Sequence, residues 1–128
     1  MDTKRENLIV NLSTAFAIKV IAFHLEIKRT GMNSMASQLF RAGTSIGANV
    51  LEAQNAESKR DFIHKMKIAA KEADETEYWF DLCVESPLLP DPKGLRDEIV
   101  SIHKVLTKII SSAKKNTERY QAAKSGIN

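Results

Sequence analysis

Gln38, Arg41, Ser45, Asn49 and Glu52 recur at three- and four-residue steps in the second quarter of the chain. At about 100° per residue on a helix, the five fall within a sector of roughly 80°. A guanidinium, a hydroxyl, two amides and a carboxylate in that register can form a hydrogen-bonded ladder. One setting for such a stripe is an ordinary solvated face, where most polar stripes lie. The other is a flank turned to a neighbouring helix or subunit, where Arg41 would need a carboxylate to fill its donors. Glu72 and Glu75 are the natural candidates, since they lie on the next helical segment, which returns antiparallel.

Other chemistry-bearing residues form weaker patterns. A bundle holding two metal ions needs paired Glu-x-x-His motifs. Here Asp61, three residues before His64, is a single echo. His24, His64 and His103 fall on three different segments and share no carboxylate pattern, so neither metal nor cofactor is expected. Glu72, Glu75 and Glu77 imitate an acid–base group, but without a pocket-forming loop they read as ion-pair partners, and no enzyme activity is expected. The lone Cys83 has no partner for an internal disulfide and lies in an apolar helical pattern, where core filling is its role. Tyr78, Trp79 and Phe80 are consecutive and span about 200° of helix, so at least one must lie at the surface or a subunit seam.

Charge is organised along the chain. Lys59, Arg60, Lys65, Lys67 and Lys71 fill the first half of the third segment, and Glu72, Asp74, Glu75, Glu77, Asp81 and Glu85 fill the second. Both halves oppose the helix dipole, which asks for partners elsewhere. Folding the chain up and down gathers Lys4, Arg5, the start of the third segment, Lys114, Lys115 and Arg119 at one end. With a net charge of +3 and a pI near 9.0, that pole makes RNA or DNA a candidate partner, bound through phosphates with strong salt sensitivity and little sequence preference. Lys59, Arg60, Lys65, Lys67, Lys114, Lys115 and Arg119 are the candidate contacts. No aromatic interleaves them, so a base-stacking platform is not expected. Ordinary solubility charge, or packing between subunits, would leave the same pattern.

The elements that must position these residues are four helices. The chain has 128 residues with 5 Gly and 3 Pro, too few turn formers for a sheet-rich fold. Helical periodicity marks four segments: about 6–28, 34–54, 58–85 and 91 to about 118. In the first, Leu8, Leu12, Ala15, Ile18, Ala22 and Leu25 make the apolar row. In the second, Met35, Leu39, Ala42, Ile46 and Val50 make one row and Ala36, Phe40, Gly43, Gly47 and Leu51 another. In the third the row is Phe62, Met66, Ala69, Ala73, Thr76 and Phe80. In the fourth it is Leu95, Ile99, Ile102, Leu106, Ile109 and Ala113. Asn33 or Ser34, Ser58 with Asp61, and Asp91 before Pro92 are the expected N-terminal caps. Short connections make sequential helices antiparallel neighbours. The expectation is an all-α, up-down-up-down four-helix bundle over 1–120, with a polar tail at 121–128. Gly43 and Gly47 in a helix interior suggest that another backbone comes close. No signal peptide and no apolar run of roughly 18 residues is visible, so a cytoplasmic protein without a membrane partner is expected.

The stretch Ser37 to Ala53 resembles the signature Q-L-x-R-A-x-x-S-I-x-x-N-I-x-E-G of the bacterial four-helix bundle proteins, also called large-subunit rRNA intervening-sequence proteins. Asp61-Phe62 to Ile68-Ala69 and Lys71 to Trp79 look like the family's second block. Phe40 stands where a second Arg is common, and Ala53 where Gly is common. The resemblance implies an up-down bundle. It also implies kinship with the accessory protein of diversity-generating retroelements, which forms a pentameric ring and binds nucleic acid. Self-association, with a pentamer as the candidate ring, and an RNA or DNA partner are therefore expected; the alternative is a protein-interaction scaffold that binds no nucleic acid. All five stripe residues match signature positions, which favours the ladder or subunit contact over a solvated face.

Overall fold

The computed structural model describes residues 3–126, with side chains from Leu8 onward. It contains α1 (Thr3–Arg29), α2 (Asn33–Gln54), α3 (Lys59–Glu85) and α4 (Leu95–Ser125). Each helix packs against the next and α1 closes the ring against α4, while the backbones of the diagonal pairs stay apart. Side chains fill the space between the diagonals. The Phe80 ring of α3 takes edge contacts from Phe16 and Phe23 of α1, with centroids 6.1 and 5.8 Å away. The fold is the up-down-up-down bundle that the periodicity predicts.

The rows expected for α3 and α4 are buried throughout except Leu95, which is half-buried. On α2 the Met35 row is buried, but the second row is split. Ala36 and Gly43 are buried, whereas Phe40 and Leu51 are exposed.

On α1 the expected row is the wrong one. Leu8, Ala15, Ile18, Ala22 and Leu25 are exposed, Ile18 by 64%. The buried row is Ile9, Ser13, Phe16, Val20, Phe23 and Ile27. The cause is composition: between Leu8 and Leu25 the one formally charged residue is Lys19, so α1 is apolar on nearly every side and periodicity cannot choose a face. The segment Leu8–Arg29 is also long and apolar enough to cross a membrane by length and composition, which a search for unbroken apolar runs passes over. Ser13 interrupts the true row, and its burial is tolerated because Oγ donates to the Ile9 carbonyl at 2.7 Å.

Helix ends follow local chemistry with two departures. Gly31, at φ 91°, turns the chain after α1, where Thr30 and Gly31 amides donate to Ile27 and Lys28 carbonyls at 3.0 Å. Ser58 caps α3 by accepting from the Asp61 amide at 3.0 Å. The Asp61 carboxylate accepts in turn from the Glu57 amide, one residue before the cap, at 3.2 Å. Neither Asn33 nor Ser34 caps α2, whose cap position is Met32 without a side-chain bond. Asp91 does not cap α4 either. Its carboxylate accepts from the Lys93 amide at 2.9 Å, closing a turn that puts Lys93 at φ 52°; helix begins only at Leu95. At its far end α4 continues through the expected tail to Ser125, where Gly126 takes the left-handed C-cap conformation.

Candidate functional site

The polar stripe of α2 faces α3. Arg41 Nη1 donates to both Glu72 carboxylate oxygens at 3.3 Å, and Nη2 donates to Glu75. Glu72 and Glu75 are one turn apart on α3, so one planar guanidinium spans both. Below it, Ser45 Oγ donates to the Arg41 carbonyl and Asn49 Nδ2 to the Ser45 carbonyl at 2.9 Å. Glu52 ends the series opposite Lys65 at 3.7 Å. Gln38 is exposed. Arg41 thus meets Glu72 and Glu75, and Glu52 meets Lys65, across the α2–α3 seam, while Ser45 and Asn49 bond back to their own helix.

The same seam and its neighbour offset part of the reversed charge of α3. Asp74 lies 2.9 Å from His103, and Asp81 lies 2.7 Å from Arg96, both on α4. With Arg41 facing Glu72 and Glu75, partners on α2 and α4 meet four of the acidic residues that oppose the dipole. The small residues of α2 are likewise used within the chain. A Cβ on Gly43 would lie 2.8 Å from Val20 Cγ1, and one on Gly47 would lie 3.4 Å from the Ser13 carbonyl oxygen. The close approach is made by α1.

The seven basic candidates separate. Lys65 is held by Glu52. Arg60 and Lys67 line a cleft of about 300 Å³ between α3 and α4 with Ile63, His64, Thr117 and Gln121. Lys114 faces Lys67 across its edge, and that second amine, sharing a hydrogen bond and repelling, lowers the Lys67 pKa. Lys115 is turned about 100° from Lys114 on the helix and is exposed, as are Lys59 and Arg119. Lys4 and Arg5 carry side chains outside those described. His64, Thr117 and Gln121 join the cleft without being marked by apolar periodicity. Their signal is spacing: 60, 64 and 67 on α3, and 114, 117 and 121 on α4, each mark a single helix flank.

The opposite side of the bundle is poor in charge. Leu8, Asn11, Thr14, Ala15, Ile18, Ile21, Ala22 and Leu25 form the outer face of α1. Beside them on α2 lie Phe40, Thr44, Ala48 and Leu51, and the whole of α2 carries just Arg41 and Glu52 as charged residues. The Phe40 ring stacks at 4.8 Å on His24 across the α1–α2 seam. Of the three consecutive aromatics, Phe80 is buried, Trp79 half-buried and Tyr78 exposed by 56%. Cys83 is buried, and burial pushes its thiol up to about 11. Among the described residues no three His, Cys, Asp or Glu side chains come together as a metal site would require.

An antiparallel four-helix bundle whose α2 flank carries the Gln38–Glu52 stripe against α3 defines a class of small all-α proteins. This chain belongs to the 23S rRNA-intervening sequence protein family, whose sequence model matches residues 5–108. Its structure is similar to the crystal structure of a protein of unknown function from the S23 ribosomal protein family of Bacteroides thetaiotaomicron. The TM-score is 0.78 at 34% identity, covering 84% of this chain and 98% of that one. No curated protein matches. Neither the family nor that relative is named for an enzyme.

Proposed function

We propose that this protein is a homo-oligomeric bundle that binds RNA or DNA non-specifically through its basic surface. The observation that carries the reading is the two-sidedness of the chain. A charge-poor, largely apolar face on α1 and α2 backs onto a charged face on α3 and α4, where Lys59, Arg60, Lys67, Lys114, Lys115 and Arg119 make no ion pair with a described residue. An apolar face of that extent favours contact with a second copy, and turning it inward would leave the cations outward, where phosphates can reach them. The family's name joins its members to an intervening sequence of 23S rRNA, so an RNA is the first partner to test.

Binding of a labelled RNA across a salt series tests the nucleic-acid half. Affinity should fall steeply and log-linearly with salt; absent or salt-independent binding at low ionic strength refutes it. Sedimentation tests the assembly half. The expected species is a multiple of 14.3 kDa, five chains if the ring is a pentamer. Ile18→Glu with Leu51→Glu should return it to a monomer with unchanged helix content, and a wild-type monomer at high concentration refutes it. The charge-poor face taken by itself supports the second reading, a protein-interaction scaffold without nucleic acid. That reading stands if assembly is found and RNA binding is not.

A further inference from the structure

We infer that the cleft between α3 and α4 is a phosphate-binding site, in which one phosphate group sits against Lys67 and Arg60 with Lys114 at the rim. The inference rests on the nucleic-acid reading only for the source of the phosphate. A phosphodiester backbone and free inorganic phosphate present the same chemistry to the cleft.

Elsewhere on the bundle a cation on one helix meets a carboxylate on another: Arg41 meets Glu72 and Glu75, Lys65 meets Glu52, Lys19 meets Glu98, Arg96 meets Asp81 and His103 meets Asp74. At this one position a lysine meets a lysine. Two facing ammonium groups repel, and an anion between them converts the repulsion into two attractions.

The lining agrees with that sign. Arg60, His64 and Gln121 offer side-chain N–H groups that make no hydrogen bond to any described residue. Thr117 supplies shape, because its hydroxyl proton goes to the Ala113 carbonyl at 2.9 Å. Ile63 gives the cleft an apolar wall. No carboxylate lines it: Asp61 is turned to the helix start, where it accepts from the Glu57 amide, and Glu118 is exposed outside the lining. The planar Arg60 fork matches two phosphate oxygens, while lysines act as mobile point charges.

The test is equilibrium dialysis of the full chain against radiolabelled orthophosphate at low, fixed ionic strength, with a fluorescent single-stranded oligonucleotide as the second arm. Wild type should take up about one orthophosphate per chain, saturably. Lys67→Gln with Lys114→Gln should weaken binding at least tenfold. Lys104→Gln with Lys108→Gln removes the same charge from the exposed outer side of α4 and should change binding less than twofold. All four positions are exposed, so both variants should keep their helices by circular dichroism. If orthophosphate is bound and lost with Lys67 and Lys114, yet the oligonucleotide neither binds nor competes, the site stands and the nucleic-acid reading fails. If only the oligonucleotide binds and the same two lysines carry it, the site stands and takes phosphodiesters. Equal losses in the two double variants, or no binding of either probe by wild type, overturn the inference.

Discussion

Gly43→Ala should destabilise the bundle although Ala is the better helix former. The new Cβ would stand 2.8 and 2.9 Å from the two Val20 methyl carbons and 3.3 Å from Val20 Cβ. Val20 is fully buried, and a valine in a helix has one strongly preferred rotamer, so it cannot swing aside. Overpacking of this kind costs about 1–3 kcal/mol, and replacing a mid-helix glycine returns about 1 kcal/mol. The expected net loss is about 1 kcal/mol, a fall in Tm of about 4 °C. Gly47→Ala, one turn later, meets nothing nearer than the Ser13 carbonyl oxygen at 3.4 Å. That is ordinary contact, so the propensity gain of up to about 1 kcal/mol should survive. One substitution type on one helix thus gives opposite signs. Urea unfolding followed by far-ultraviolet circular dichroism reads both, at one fixed protein concentration because association raises apparent stability. Val20→Ala alone should cost about 2 kcal/mol. Combined with Gly43→Ala it should cost at least about 1 kcal/mol less than the two singles added, since the new methyl occupies the vacated space. Equal stability of the two glycine variants, or an additive cycle, would refute the account of the α1–α2 contact.

Arg41→Ala should cost about 1 kcal/mol or less, because its side chain is half exposed; the difference from wild type should shrink in 1 M salt, with Arg41→Lys intermediate because an ammonium cannot span two carboxylates as a fork does. Phe80→Ala should cost about 3–5 kcal/mol and Tyr78→Ala under about 1 kcal/mol, compared by chemical denaturation; similar losses would mean that the aromatic run is seated differently. The Cys83 thiol is held at about 11 against an ordinary 9.0, so the fold retains its proton more tightly than the unfolded chain does. Stability from this source is complete below pH 9 and is lost as pH rises through 9 to 11. Cys83→Ala should show a smaller alkaline loss, and at pH 8 a thiol reagent should label native wild type far more slowly than urea-unfolded protein.

Legibility in the sequence followed charge contrast. On α3 and α4 the charged residues crowd one side, so the rows ending in Phe80 and Ala113 identify the core unaided. On α1, with Lys19 nearly alone, one apolar row is as good as another, and the choice is made by what α2 offers: Gly43 admits Val20 and Gly47 admits Ser13. That complementarity lies between helices and leaves no mark on the periodicity of α1. The ladder partners were legible because adjacent antiparallel helices fix which flanks meet, and Arg41 has two carboxylates at the right height. The cleft was only half legible. Sequence order lists Lys114 and Lys115 as equals, but a helical step of 100° sends one to the α3 flank and the other to water. The start of α4 was misplaced because Asp91-Pro92 carries the composition of a cap while Asp91 closes a local turn with Lys93.

The order in which the ring closes bears on how the chain is made. α1 ends at Arg29 and its second neighbour, α4, begins at Leu95. At roughly 5–20 residues per second on the ribosome, the α1–α2 hairpin can form several seconds before α4 exists. During that interval the flank of α1 that carries Leu12, later apposed to Ile102, stays uncovered next to an outer face that is also apolar. The nascent chain therefore passes through a stage as a sticky helical hairpin, and the arrival of α4 ends it.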